Sequence, residues 1–259
     1  MMTYLEAALL GIVQGLTEFL PVSSSGHLAL GHAMLGIKTG DVTFEVIVHF
    51  GTLMAVVTVF RRRIWKLVYG FFGRDPRALK TVGLLVLASL PAVIAGLTLE
   101  GRLTEIFASP FTVSVMLIVT GFVLFSTRNR LGERPVETVL SSLAIGIAQA
   151  AAIVPGISRS GMTIATGLWC KVEAQEAAMF SFLLAIPIIA GATALKVGGL
   201  VTIGPGTESW SVLLVGAVTA YVSGVFSVRW LLSILGRGKL SLFAYYCWAV
   251  GLIGVVSYW

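Results

Sequence analysis

The chain has 259 residues, 57% of them hydrophobic and only 12% charged, against roughly 25% charged in a typical soluble domain. So few polar side chains cannot cover a soluble globule of this size, which excludes an ordinary soluble enzyme, a disordered chain and a nucleic-acid-binding domain. The net charge of +6 does not reverse this, because seven of the 18 Lys and Arg residues lie between Arg61 and Lys80 beside an apolar run, the pattern of a cytoplasmic loop and not of a polyanion-binding face.

The apolar runs are continuous where barrel strands would alternate, so helices are expected. The first run, Tyr4–Leu35, is broken midway by Pro, Gly and Ser together with ionisable groups, and neither half is comfortably long enough to cross a bilayer alone. Three unbroken runs follow, about Thr43–Phe60, Thr81–Leu99 and Pro110–Thr127, each near the ~20 residues a spanning helix needs. Val139–Trp169 is broken as the first run is, and is followed by about Glu176–Val197, Trp210–Leu235 and Ser241–Trp259. Trp65, Trp210, Trp230 and Trp259 fall near predicted ends, where interface anchors belong. Cys170 and Cys247 sit in apolar surroundings and suggest neither a disulfide framework nor a metal knot. The start, MMTYLEAALL, lacks the basic residues of a cleavable signal peptide, so the mature chain is expected to begin at Met1.

The two broken runs match each other. Gly11, Ile12, Gln14, Ser23, Ser25 and Gly26 recur 135 positions later as Gly146, Ile147, Gln149, Ser158, Ser160 and Gly161. Six identities in sixteen aligned positions, where about one is expected by chance, signal a duplication. Three spans between the copies would turn the second upside down relative to the first. The expected fold is therefore an all-α polytopic membrane protein: one integral membrane domain over 1–259, with an inverted-topology repeat of about 1–130 and 136–259. Six transmembrane helices and two re-entrant helical hairpins make it up, and interrupted segments in inverted repeats point to a site near the midplane. Placing the Arg61–Lys80 loop in the cytoplasm also puts Arg128, Arg130, Arg134, Lys171, Arg229, Arg237 and Lys239 there. Only Lys38, Arg102 and Lys196 fall outside, with Arg159 inside the second hairpin. Both termini and the first hairpin then face outward.

Ionisable side chains at membrane depth default to function. The first hairpin carries Gln14 and Glu18, four apart and so on one helix face, followed by Ser23, Ser24, Ser25 and His27. The second carries Gly156, Ser158, Arg159, Ser160 and Thr163 in PGISRSGMT. The copies differ where charge matters: Glu18 aligns with Ile153, Ser24 with Arg159, and His27 with Met162. Arg with hydroxyls on a glycine-containing turn at a helix start suits phosphate, through a bidentate fork and free N–H groups. Glu18, with Gln14, could hold Mg²⁺ or Ca²⁺ through oxygen or act as a base. Ser24 or a neighbouring serine could be a nucleophile activated by His27, or only hydrogen-bond the phosphate. Simpler roles compete: the serines could satisfy backbone groups freed at the breaks, and Glu18–Arg159 could be a structural ion pair. Glu45 and His49, one turn apart, read as a structural hydrogen-bonded pair.

QGLTEFLPVSSSGHL (Gln14–Leu28) and PGISRSGMT (Pro155–Thr163) resemble the two signature motifs of the bacterial undecaprenyl-diphosphate phosphatase family, the bacitracin-resistance type, and FEVIVHFGTLMAVV (Phe44–Val57) is similar to that family's next segment. The resemblance extends over the whole chain. It implies a polytopic inner-membrane enzyme with interlocking re-entrant hairpins, and the outward-facing first hairpin of the charge count would put its site on the periplasmic side. Its reaction would be divalent-metal-dependent hydrolysis of undecaprenyl diphosphate to the monophosphate, recycling the carrier lipid for peptidoglycan and conferring bacitracin resistance. By position, the acidic motif falls on Gln14 and Glu18, the Ser and His residues on Ser23, Ser24 and His27, and the phosphate-binding motif on Ser158, Arg159, Ser160 and Thr163. Gln14 leaves one carboxylate where some members have two. The competing reading is a polyprenyl-phosphate transporter or flippase, because inverted repeats and broken helices are also transporter architecture. Homo-oligomerisation is left open.

Overall fold

The computed structural model of the protein describes residues 2–37, 43–107, 109–130, 132–136, 138–203, 208–236 and 240–259, without the side chains of 99–107 and 195–203. Lys38, Arg237 and Lys239 of the charge count lie outside the described residues, as do the side chains of Arg102 and Lys196. Among the described residues there are ten helices: α1 (Tyr4–Phe19), α2 (Ser24–Leu35), α3 (Thr43–Phe72), α4 (Pro76–Phe107), α5 (Pro110–Phe125), α6 (Val139–Ala151), α7 (Arg159–Trp169), α8 (Ala174–Ile203), α9 (Trp210–Leu235) and α10 (Leu242–Tyr258).

Four of these helices are long and apolar enough to cross a membrane, over Thr43–Phe72, Pro76–Thr98, Ala174–Ala194 and Trp210–Leu235. The protein is thus a multi-pass, all-α membrane protein. The helices α5 and α10, with 16 and 17 residues, are apolar but shorter than the spans expected at Pro110–Thr127 and Ser241–Trp259. At α5 the reason is local, since Ser126, Thr127 and Arg128 turn back on the carbonyls of Phe122, Leu124 and Phe125. The helix α3 instead runs past Phe60 to Phe72, carrying Arg61, Arg62, Arg63 and Lys66 on an exposed helical extension.

The two broken runs become two pairs of short helices, α1–α2 and α6–α7. Their starts are capped by side chains. Thr3 and Glu6 form a capping box at α1, and Thr138 Oγ1 accepts the Ser141 N–H at 3.1 Å at α6. Each satisfies N–H groups that a helix start leaves without an intrahelical partner. The inner helices repeat one cap. Ser23 Oγ accepts the Gly26 N–H at 3.3 Å, and Ser158 Oγ accepts the Gly161 N–H at 3.1 Å. In each turn a second serine then meets the cap: Ser23 Oγ lies 3.3 Å from Ser25 Oγ, and Ser158 Oγ lies 3.2 Å from Ser160 Oγ. The repeated Ser-x-Ser-Gly is a helix-start device in both copies.

Close packing brings the two halves together. The helix α1 lies along α9 and α6 lies along α4, so the first helix of each half packs on the fourth helix of the other. Glycine permits this approach: a Cβ on Gly11 or Gly15 would strike the carbonyls of Gly216 or Ala220 on α9, and one on Gly146 would strike that of Ala88 on α4. Buried hydroxyls tie the same seams. Ser227 donates to the Leu16 carbonyl at 2.7 Å, and Ser142 to the Leu84 carbonyl at 2.6 Å, satisfying groups that have no water to turn to. Beneath both turns lies the largest apolar cluster, which includes Phe19, Leu124, Ile164, Phe182, Val228 and Leu231. Phe19 and Phe182 meet edge to face there, with ring centroids 5.5 Å apart. The turns themselves abut. Ser160 Oγ donates to the Leu20 carbonyl at 3.0 Å, and a Cβ on Gly26 would come within 3.2 Å of Gly156 Cα.

Candidate active site

Helix α1 delivers Gln14 and Glu18 on its buried face, with Glu18 next to its last residue, Phe19, and Gln14 one turn earlier. Helix α2 opens on Ser24, and α7 opens on Arg159. Because the two turns abut, the side chains at the two helix starts meet. The Arg159 guanidinium Nη2 bonds to Glu18 Oε1, with the carboxylate side chain 5% exposed and the guanidinium 18%. Glu18 Oε2 accepts hydrogen bonds from Ser24 Oγ at 2.5 Å and Gln14 Nε2 at 3.0 Å. Residues aligned by the internal repeat, Ser24 and Arg159, thus share one carboxylate from opposite sides.

Two polar atoms of this cluster are buried with no hydrogen-bond partner among the described residues: Gln14 Oε1 and Arg159 Nη1. Orphaned groups at this depth are costly, and these are an acceptor and a donor that a bound polar ligand would satisfy. They flank a carboxylate that already has its own partners.

Other candidates occupy different places. Ser23 and Ser158 are the helix caps described above. Ser25 lies beside Ser23, and Ser160 crosses to the Leu20 carbonyl. Thr163 Oγ1 donates to the Arg159 carbonyl at 2.8 Å and lies 2.6 Å from Ser181 Oγ, which anchors α7 to α8. Gly156 has φ of 90°, where a side chain would be strained, and a Cβ there would also strike the Val113 carbonyl. Its own carbonyl accepts from Thr120 Oγ1 at 3.0 Å, and Thr120 Oγ1 in turn accepts the Ser158 N–H at 3.1 Å. One hydroxyl on α5 therefore latches the second turn.

His27 does not meet Ser24. Its Nδ1 lies 2.8 Å from the Ser23 carbonyl and its Nε2 lies 2.9 Å from the Tyr246 hydroxyl, while Ser24 turns to Glu18. The Tyr246 ring stacks on the imidazole at 5.6 Å. Glu45 and His49 do pair, through the Glu45 backbone. His49 Nδ1 bonds the Glu45 backbone carbonyl at 2.6 Å, and the Glu45 carboxylate faces His32 Nδ1 at 3.4 Å. His49 Nε2 reaches 3.6 Å from Glu18 Oε2 and so joins the cluster. The criterion that singled out Glu18, a titratable group inside an apolar run, applied equally to His49. Nothing in the sequence pointed to Tyr246 or Thr120. Both cysteines are free, with Cys247 buried and Cys170 partly so.

Comparison with known proteins shows the family. The family model for the bacitracin resistance protein BacA matches residues 7–253. The chain belongs to the BacA family. Similar relatives include undecaprenyl-diphosphatases of Salinibacter ruber, 43% identical over 98% of this chain and 99% of the relative, and of Rhodopirellula baltica, 41% identical over 99% and 98%. That of Halothermothrix orenii is 39% identical over 98% of both chains. The BacA match takes in both capped turns and α3, so every residue of the Glu18 cluster lies within it.

Proposed function

We infer that the protein is a membrane-embedded undecaprenyl-diphosphatase, which hydrolyses undecaprenyl diphosphate to the monophosphate and inorganic phosphate. The observation that carries this beyond family membership is the short Ser24–Glu18 contact opposite Arg159. Moving a lipid phosphate across a membrane requires an anion clamp, but it does not require a hydroxyl held against a buried carboxylate. That contact favours hydrolysis over the flippase reading.

Ser24 Oγ is the nucleophile and Glu18 its base. As Oγ bonds to the terminal phosphorus, Glu18 takes the hydroxyl proton, the bond from phosphorus to the bridging oxygen breaks, and Glu18 hands that proton to the departing prenyl monophosphate. Water then attacks the phosphoserine. Its proton passes by way of Glu18 to Ser24 Oγ, and inorganic phosphate leaves. Arg159, with Nη1 unpartnered, holds the terminal phosphoryl oxygens. His27, whose ring nitrogens meet the Ser23 carbonyl and the Tyr246 hydroxyl, is not the base for Ser24 in this scheme.

The donors for a divalent cation fit in part. Glu18 and the unpartnered Gln14 Oε1 offer hard oxygen ligands, but no group of three or more His, Cys, Asp and Glu is found among the described residues. Glu18 and Gln14 would hold Mg²⁺ or Ca²⁺, with substrate oxygens supplying much of the remaining shell. Such an ion would neutralise the diphosphate charge that one arginine leaves in a low-dielectric site.

The two helix pairs are read as re-entrant hairpins that enter from opposite faces, with α3, α4, α5, α8, α9 and α10 as six spans. Helices α2, α6 and α7, of 12, 13 and 11 residues, are only about 16–20 Å long at 1.5 Å per residue, well short of the ~30 Å hydrocarbon core, and α1, though as long as α5, is joined to α2 by the short turn between Phe19 and Ser24. The first hairpin opens outward by the basic-residue count, which puts the site on the periplasmic side of the inner membrane. Phosphate release from undecaprenyl diphosphate by purified protein tests the function, since a transporter alone releases none. Single cysteines at Trp259 and Arg74, in a background without Cys170 and Cys247, test the frame. An impermeant thiol reagent should label position 259 in intact spheroplasts and position 74 only after lysis, and the reverse pattern inverts the topology.

A further inference from the structure

The hydrogen bond that His49 makes to the Glu45 backbone decides what its other nitrogen can do. A carbonyl oxygen only accepts, so at 2.6 Å His49 Nδ1 must carry the hydrogen. In the neutral ring this leaves the lone pair on Nε2. That lone pair faces Glu18 Oε2 at 3.6 Å, too far for a hydrogen bond. Two electron-rich atoms at this spacing suit joint ligation of a cation. Bonds of about 2.0–2.2 Å to nitrogen and oxygen place neighbouring ligands of a first-row metal at about this separation.

A third donor stands beside them. Gln14 Nε2 lies 3.0 Å from the same Glu18 oxygen, and Gln14 Oε1 is buried with no partner among the described residues. Turning the amide over would bring Oε1 to the position Nε2 now holds, and replace a hydrogen bond to Glu18 with a second oxygen ligand. Gln14 and Glu18 come from α1, and His49 comes from α3. Arg159 occupies the other oxygen of the carboxylate, so the cation would share Oε2 with the Ser24 hydroxyl, which keeps its hydrogen bond there.

We propose that His49 Nε2 is a protein ligand to the divalent cation of this site, together with Glu18 Oε2 and Gln14 Oε1. This rests on the metal-dependent phosphatase reading and changes its metal chemistry. A mixed nitrogen and oxygen set suits a first-row ion, and Mn²⁺, though hard, accepts an imidazole nitrogen more readily than Ca²⁺, which takes oxygen ligands. His49 supplies the donor that Gln14, lacking a second carboxylate, gives only weakly. Nδ1 bonded to a backbone carbonyl is the usual way a protein orients a ligating imidazole.

Mn²⁺ bound to the purified full-length protein, without substrate, provides the test. Pulsed electron paramagnetic resonance should show modulation from one directly coordinated ¹⁴N nucleus. That modulation should change to the ¹⁵N pattern in protein labelled with ¹⁵N-histidine, a comparison that needs no substitution. His49→Gln should abolish the modulation and weaken Mn²⁺ binding about tenfold or more, at least what losing an outer-shell partner costs. Arg159→Ala should retain the modulation. Failure to bind Mn²⁺, bound Mn²⁺ without nitrogen modulation, or modulation that survives in His49→Gln overturns the proposal. Phosphate release by the wild-type samples reports separately on the phosphatase reading, which stands or falls without His49.

Discussion

Removing Arg159 should damage the protein in two ways of similar size, and a double-mutant cycle can separate them. Glu18 is 5% exposed and Arg159 18%, so Arg159→Ala leaves a buried carboxylate without its cation. Opening a buried pair in this way costs about 3–5 kcal/mol. The lower end, about 3 kcal/mol, is expected here, because Ser24, Gln14 and His49 remain around the carboxylate. The loss of a donor to the developing phosphoryl charge costs about 10²–10³ in rate, or roughly 2.7–4 kcal/mol. A single variant cannot tell the two apart. Glu18→Gln combined with Arg159→Ala removes both charges, so the pair should show a coupling of about 0.5–3 kcal/mol in stability with no recovery of turnover. Arg159→Lys keeps the charge and should melt close to wild type, yet it should not restore the rate because the second arm of the fork, Nη1, is lost. Thermal melting in detergent and phosphate release on the same samples give both quantities. Full activity in Arg159→Lys would refute the clamp, as would turnover regained in the double variant.

Neighbouring serines should behave differently: Ser24→Ala should lose phosphoserine formation and nearly all turnover at near-normal stability. Ser23→Gly should retain activity and lose only a few tenths of a kcal/mol, since φ of 69° at Ser23 suits glycine and glycine is a tolerable cap; trapping with labelled substrate and thermal melts measure the contrast. Gln149 is buried with both amide atoms unpartnered among the described residues, so Gln149→Leu should be neutral or raise stability by about 1 kcal/mol, whereas Gln14→Leu should cut activity. Gly15→Ala should cost about 1–3 kcal/mol by forcing α1 off the Ala220 carbonyl, while Gly83→Ala, where a Cβ meets nothing within 4 Å, should stabilise α4 by about 0.5–1 kcal/mol. Chelation should suppress phosphate release and added divalent cation should restore it; unchanged release in excess chelator would remove the metal from the reaction.

The helical membrane class, the two interrupted segments and their tip residues could be read from the sequence because each depends on local composition. Long apolar runs have one stable form in lipid. A proline with Ser-x-Ser-Gly breaks a helix and caps the next whatever surrounds it, so Ser23 and Ser158 stand where the pattern put them. Buried charge in such runs is costly enough to mark itself, and this picked out Glu18 and Arg159. Tertiary structure alone decided which of these groups meet. The approach of α1 to α9 and of α6 to α4, through Gly11, Gly15 and Gly146, presses the two turns together, and this brings a guanidinium 141 positions away onto Glu18. The same packing gave Ser24 a carboxylate for a partner in place of His27, sent His27 to Tyr246 on α10, and carried His49 from α3 into the cluster. A helix fixes which residues share its face. Which face of another helix they meet depends on side-chain volume and on where the backbones can touch, and neither follows from spacing along the chain.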